Sequence, residues 1–442
     1  MQRSVVITGL GPINAFGLGI DPLWNALLEG KSAIGPIQRF DPGGFECKVA
    51  AELSDDLYSV KKIVPRSHRK AIKVMCRDIE LAVGAAKAAI DDAGIITRGI
   101  DSDAPPTIDP SRFGCQIGAG LISADVDELT EALFTSRNGS GEFDLNKWGT
   151  TGMKNLTPLW LLKYLPNMLA CHVTIVHDCR GPSNTITCCE ASCGLSLGES
   201  MRVIERGGAD ACLSGGTEYK LNPMAYYRQQ CTKRLAKTSD GDDPARVVRP
   251  FDPEAGGTVL GEGGGLLVLE AEDTARSRGA RIQAKISGFA ATQSFCEDTV
   301  GIASTDDGES ISDAIAAALT QSGLKVDDID AIVPFGSGIP SVDNAEANAI
   351  RNIFDDRASS IPLITTIPNV GNCNAGNGAI SFCVAVKCLT EQTLPARINT
   401  ENADRLDANA CAPREAKLHH ILVTSTSQGG QNTAAILSRM DS

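Results

Sequence analysis

The sequence predicts an α/β protein, and three observations carry that prediction. Short apolar runs that end in glycine recur along the whole chain. Between them lie stretches with apolar residues at i, i+3 and i+4 that stop at glycine, the pattern of amphipathic helices. Two further helical stretches carry almost no charge, which suits helices buried on all sides between sheets. Strands alternating with helices in this way build layered α/β folds.

Taken in order, the strand candidates are SVVITGLG at the start, FGCQIGAG from Phe113, ADACLSGG from Ala209 and GGLLVLEA from Gly264. The second half supplies AKISGFA from Ala284, DAIVPFGSG from Asp330 and HILVTSTSQGG from His420. The spacing predicts one helical stretch from His68 to Gly94 and another from Ser310 to Gly323. The charge-poor helices follow Glu190 and run through GNCNAGNGAISFCVAVKCL, and their similar settings suggest an internal duplication. The polar stretch from Thr135 to Lys154 reads as a cap or dimer-edge insertion. KRLAKTSDGDDPARVVRPFDP reads as a surface loop.

Composition narrows the function. The chain has 442 residues and a net charge of −13. That balance argues against a general nucleic-acid binder, which needs a broad basic surface. The fifteen cysteines sit mostly in apolar or small-residue runs, where a thiol packs as a small hydrophobe. No CxxC pair stands with a second pair or a histidine cluster, so neither a zinc site nor another metal is expected. The N-terminus enters a strand without a signal core, and no run reaches the ~18 apolar residues of a membrane helix. The expectation is a soluble, reduced, cytoplasmic protein.

Several motifs occur in a telling order. VVITGLGPINAFG, FDPGGFECKVAAEL, LPNMLACHVTIVHDCRGPSNTI and RPFDPEAGGTVLGEGGGLLVLE resemble successive segments of the β-ketoacyl-acyl-carrier-protein synthases, from Val5 to Leu437. The resemblance implies a thiolase-like fold: a duplicated five-layer αβαβα arrangement with two mixed five-stranded sheets around buried helices, forming a dimer. The halves would be residues 1–270 and 271–442, with a cap insertion at about 121–165. It implies no cofactor. Such enzymes carry an acyl chain on a cysteine thiolate at a buried helix N-terminus. Two histidines then stabilise the enolate formed by decarboxylation of a malonyl unit, supported by a lysine.

Aligned without gaps from Gly181-Pro182, the family cysteine falls on Glu190. A one-residue slip would put Cys189 there, but an insertion in the first turn of a buried helix would rotate all later residues by ~100°. The first family histidine falls near Glu297. Phe335 stands for the second, Ile367 for the lysine and Asn372 for the histidine of its motif, while Gly336, Pro340, Asp343 and Glu346 retain their loop. Thr426 and Gln428 replace the two phenylalanines that gate the acyl channel. Leu161 and Leu162 fall in a stretch implied to line a partner's tunnel. Arg66, Arg69 and Lys70 match positions that receive the acidic carrier protein.

These losses imply a catalytically silent subunit resembling a chain-length factor, paired with an active ketosynthase or with a second copy of itself. The alternative is an enzyme acting on acyl- or malonyl-carrier thioesters through Glu190, as a general base, or through Cys189. A purely structural role would have Glu190 cap its helix.

Overall fold

Glycine lets the first strand and the first long helix touch backbone to backbone, and the layered core grows from that contact. Strand β1 (Val5–Asn14) is buried along its whole length, and helix α1 (Arg77–Asp92) lies across it. A Cβ on Gly11 would stand 2.1 Å from the Ala85 carbonyl oxygen, and one on Gly9 2.1 Å from that of Ala89. The computed structural model describes residues 3–295, 307–401, 406–407 and 410–440.

The N-terminal half continues with β2 (Phe113–Gly118), α2 (Val126–Thr135), α3 (Met168–His177), β3 (Ser183–Ile186), α4 (Ser192–Glu205), β4 (Ala211–Glu218) and β5 (Gly263–Ala271). Its strands run in the order β3-β2-β4-β5-β1, with β3, β2 and β4 parallel and the last two pairings antiparallel. The second half supplies β6 (Ala284–Gln293), α5 (Glu309–Ser322), β7 (Ala331–Val333), α6 (Pro340–Phe354), α7 (Asn377–Glu391), β8 (His420–Thr426) and β9 (Gln431–Ser438). The order is β7-β8-β9-β6, again with a parallel pair followed by antiparallel pairings. Leu363 bridges Ile332 in parallel at the position where a fifth strand would lie.

Each half thus repeats one topology. The fifth strand of the second sheet shrinks to a bridge beside Pro362, a residue that cannot donate to a ladder. Three antiparallel residue pairs between β1 and β6 join the two sheets at one edge. Helices α4 and α7 pack on each other and on strands of both sheets. They bury 10 of 14 and 12 of 15 residues respectively. Helices α1 and α3 cover the outside of one sheet, and α5 covers the other with α6 packed on it.

The helical stretch expected from His68 to Gly94 is divided. A 3₁₀ segment, Arg66–Val74, ends at extended backbone at Met75 and Cys76 before α1 begins. The break lets Arg77 turn inward, where its Nε donates to the buried Glu262 Oε2 at 2.7 Å. Among the described residues no helix is long and apolar enough to cross a membrane.

Because the atoms opposing a Gly11 side chain are backbone, they cannot swing away. Gly11→Ala is expected to cost about 1–3 kcal/mol, read from the urea midpoint. An unchanged midpoint would mean that α1 can lift off β1.

Candidate functional site

The site forms where α4 and α7 begin. Strand β3 runs through Thr187 and Cys188 into a 3₁₀ turn, Cys189–Ala191, and then into α4. The second half repeats this approach with a 3₁₀ turn, Asn374–Gly376, before α7. Cys189 and Asn374 open the two turns with left-handed backbones, φ 46° and 48°. Such a conformation costs a non-glycine residue energy, and its recurrence at matching places ties the turn to the fold. It leaves the Cys189 side chain accessible and Glu190 fully buried.

The Glu190 carboxylate is held at both oxygens. Oε1 lies 2.7 Å from Arg234 Nη1 as an ion pair, without good hydrogen-bond alignment. Oε2 accepts the backbone N–H of Gln428 at 3.0 Å. Ser425 Oγ donates to the Glu190 carbonyl at 3.1 Å. The residue before α4 is Ala191 and no side chain caps the helix, so Glu190 is not the cap; Ser192 Oγ accepts the Cys188 N–H at 2.8 Å and braces the turn. Arg234 corrects the expectation of a surface loop, for it is only 3% exposed. Its backbone is pinned by mutual bonds with Thr258: Thr258 N–H donates to the Arg234 carbonyl at 2.9 Å, and Ala236 N–H to the Thr258 carbonyl at 2.8 Å.

Phe335, Ile367 and Asn372, three of the other matched positions, carry no acid–base side chain. Phe335 and Ile367 are buried in an apolar cluster with Leu221, Tyr226, Val248 and Leu260. Asn372 Oδ1 accepts from Asn374 N–H at 2.8 Å and Asn377 Nδ2 at 2.6 Å, which commits its carbonyl oxygen to the backbone turn. Glu297 lies outside the described residues. The retained loop is a backbone scaffold: Glu346 accepts the N–H groups of Phe335 and Gly336, and Asp343 those of Ser337, Gly338 and Phe251.

Beside the pair lies a cavity of about 390 Å³, lined among others by Leu121, Pro166, Cys189, Glu218, Lys220, Asn374 and Gln428. Glu218 is ion-paired to Lys220, and its Oε2 accepts the Ala375 N–H at 2.9 Å. Burial pushes the Cys189 thiol up to about 12, reinforced by the Glu190 and Glu218 carboxylates and opposed by Arg234 and Lys220. At neutral pH it stays a thiol, which is a poor nucleophile.

The remaining expected residues are scattered. Thr426 Oγ1 is turned to Asn432 Oδ1 at 2.7 Å. Leu161 is exposed and Leu162 half-buried on a turn away from the cavity lining. Arg66, Arg69 and Lys70 are exposed on the 3₁₀ segment before α1. No group of metal-ligating side chains forms among the described residues.

Burial pushes the Asp78 carboxyl up to about 7, opposed by Lys220 and reinforced by Glu218. The folded chain then holds a proton that the unfolded chain has lost. The stability from this group is full below the ordinary value of ~4 and disappears as pH rises through about 7. Asp78→Asn keeps an acceptor for the Tyr219 N–H and is expected to flatten the fall in unfolding free energy between about pH 4 and 7. An unchanged slope would assign the titration to other groups.

Residues 2–275 match the family described as Beta-ketoacyl synthase, N-terminal domain, and residues 283–401 its C-terminal domain. The chain is 30% identical over 404 residues to a 3-oxoacyl-(acyl-carrier-protein) synthase 2 of Synechocystis sp., covering 91% of this chain and 89% of the relative. It is 30% identical over 449 residues to the Streptomyces coelicolor protein named actinorhodin polyketide putative beta-ketoacyl synthase 1, covering 99% and 89%. A solved structure titled the ishigamide ketosynthase/chain length factor shares the thiolase-like fold, with a TM-score of 0.81 at 24% identity and 100% of both chains covered. These matches span both repeated halves and the turn that carries Glu190, and the chain belongs to the β-ketoacyl synthase family.

Proposed function

We propose that this chain is a non-condensing ketosynthase-type subunit of fatty-acid or polyketide assembly, acting as the chain-length-factor-type partner of an active β-ketoacyl synthase. One observation carries the reading: at the position of the family nucleophile, a carboxylate is buried against Arg234. A carboxylate so held is a weak nucleophile and cannot carry a thioester. The apolar packing of Phe335 and Ile367 supports the same conclusion, because enolate formation needs hydrogen-bond donors or positive charge where charge develops.

The cap and its neighbours support a partner. Phe134, Phe143, Leu145, Met153, Leu159 and Leu161 are exposed large apolar side chains from one stretch of chain. Strand β3, shortly after that stretch, ends its sheet with an unpaired edge among the described residues. Exposed apolar surface and an open strand edge are the marks of an association face, and an isologous pairing would cover both. The occupant under this proposal is an intact ketosynthase, with a second copy of this chain as the competing outcome. The exposed Arg66, Arg69 and Lys70, joined by Lys73 on the same segment, suit an acidic acyl carrier protein.

The purified chain is expected to form no carbon–carbon bond from acyl- and malonyl-carrier thioesters, and no acyl label on Cys189. Glu190→Cys alone is expected to remain inactive, because it strands the buried Arg234 and restores neither histidine. Condensation by the wild-type chain would overturn the proposal. Phe134→Glu with Leu145→Glu, two exposed positions, is expected to weaken pull-down of the cognate ketosynthase at least tenfold while leaving the melting temperature within a degree or so. Unaltered capture would move the interface off the cap.

A further inference from the structure

Between the cap and the core lies a second cavity, of about 310 Å³, that shares no lining residue with the one beside Glu190. The cap brings Asp125, Glu128, Lys163 and Tyr164 to its wall, and the core brings Arg39, Asp55, Arg77, Asp78, Glu80 and Tyr219. Three cations there face five carboxyl groups. Two of those cations are also drawn away, because Arg39 and Arg77 both pair with Glu262, which is fully buried and outside the lining. The wall therefore carries an excess of acid.

Most of these acids are accounted for nearby. Lys163 pairs with Glu128, Arg39 with Asp55 at 3.3 Å and Arg77 with Glu80 at 3.5 Å. Asp125 caps α2 by accepting the Asp127 N–H at 3.0 Å. Asp78 differs. It is 2% exposed, it lines the cavity, and among the described residues it has no ion-pair partner. Its Oδ1 accepts the Tyr219 N–H at 3.0 Å, while Oδ2 meets only the Cys76 thiol, a weak donor, at 3.8 Å. Cys76 lines the same cavity, so the poorly satisfied oxygen is on that side. The cation that acts on Asp78, Lys220, is committed to Glu218 and the Leu121 carbonyl.

The wall also offers aromatic surface. The Tyr164 hydroxyl donates to Glu128 Oε2 and that of Tyr219 to the Leu221 carbonyl, both at 2.7 Å. What these residues offer a ligand is ring. Ring faces attract organic cations, and a buried acid without a cation gains from receiving one. The volume stands at the small end of ligand cavities.

We propose that this cap–core cavity binds a small primary alkylammonium ion, whose charge pairs with the Asp78 carboxylate and whose chain lies along Tyr164 and Tyr219. Burial and the Glu218 carboxylate hold the Asp78 proton to about pH 7, and Lys220 opposes them. The Cys76 thiol and Tyr219 complete its titratable neighbours. An ammonium ion has to displace that proton, so its binding strengthens as pH rises.

The test titrates the full-length chain with n-butylammonium chloride by calorimetry, at about pH 8 and about pH 6 and constant ionic strength, with n-butanol as the uncharged probe. One saturable site is expected at the higher pH. The affinity is expected to be about tenfold lower at the other, the ratio set by the ionised fraction of a group that titrates near 7. Butanol is expected to give no saturable heat. Asp78→Asn keeps an acceptor for the Tyr219 N–H and is expected to bind at least tenfold more weakly, with no dependence on pH. Flat heats from the wild type at the higher pH, equal affinity at both pH values, or butanol binding as tightly as the ammonium would each overturn the proposal. So would undiminished binding by folded Asp78→Asn; if that variant does not fold, the wild-type pH pair and the butanol arm decide by themselves.

Discussion

A helix buried between two sheets has to find, inside the protein, partners for the N–H groups at its N-terminus. Here two such helices, α4 and α7, begin within reach of one cavity, and the polar residues of the region answer that demand. For α7, Asn377 Oδ1 accepts the Cys373 N–H, Asn372 Oδ1 that of Asn374, and Glu218 that of Ala375. For α4, Ser192 accepts the Cys188 N–H. Glu190 enters beside this framework and brings a negative charge that the helix start favours but that burial penalises unless a cation is present. Arg234 is that cation, and its own burial follows from the pairing.

The residues of this region are physically coupled. A buried ion pair that loses one member leaves an uncompensated charge, at a cost of roughly 3–5 kcal/mol. Glu190 and Arg234 therefore hold each other in place. Phe335 and Ile367 fill their volumes with apolar atoms that pack on Tyr226 and Leu260, so reintroducing an imidazole or an ammonium there would bury a polar group among hydrophobes. Meanwhile the N–H bonds to Asp343 and Glu346 keep the loop beneath Phe335 in shape. The loop's shape rests on buried carboxylates that receive backbone N–H groups, and needs no titrating side chain at Phe335 or Ile367.

Most of the fold was legible because its demands are local. Gly9 and Gly11 announce the close approach of α1 through the glycine-ended strand, and the apolar spacing of Ser310–Gly323 gave a helix that the structure places at Glu309–Ser322. The flanks of Glu190 set its expected register, and left-handed residues open the turns before both buried helices, at Cys189 and Asn374. Arg234 was not legible. It stands in a run of lysine, threonine, aspartate and glycine that reads as solvated, and only the carboxylate across the site draws it inward. The short edge strand β3 and the last strand, β9, were missed because polar and small residues dilute their apolar pattern, although the ladder partners of β9 on both sides hold it fully in place. The break before α1 was hidden for the same reason as Arg234, since the carboxylate that draws Arg77 inward is Glu262, far along the chain.

Charge balance explains the last irregularity of the site. Beside the cavity stand two buried carboxylates, Glu190 and Glu218, and two buried cations, Arg234 and Lys220, while a third buried carboxyl, Asp78, lines another pocket close enough to feel Glu218 and Lys220. Glu190 is matched by Arg234 and Glu218 by Lys220, which leaves Asp78 without a cation of its own. Its contacts are a backbone N–H and a thiol, from Tyr219 and Cys76. A third charge in so small a volume would face both desolvation and the Glu218 carboxylate, and Asp78 relieves both by keeping its proton to about pH 7. The same repulsion acts on Cys189, which lines the cavity. The Glu190 carboxylate thus also helps to keep the thiol of the cysteine beside it protonated.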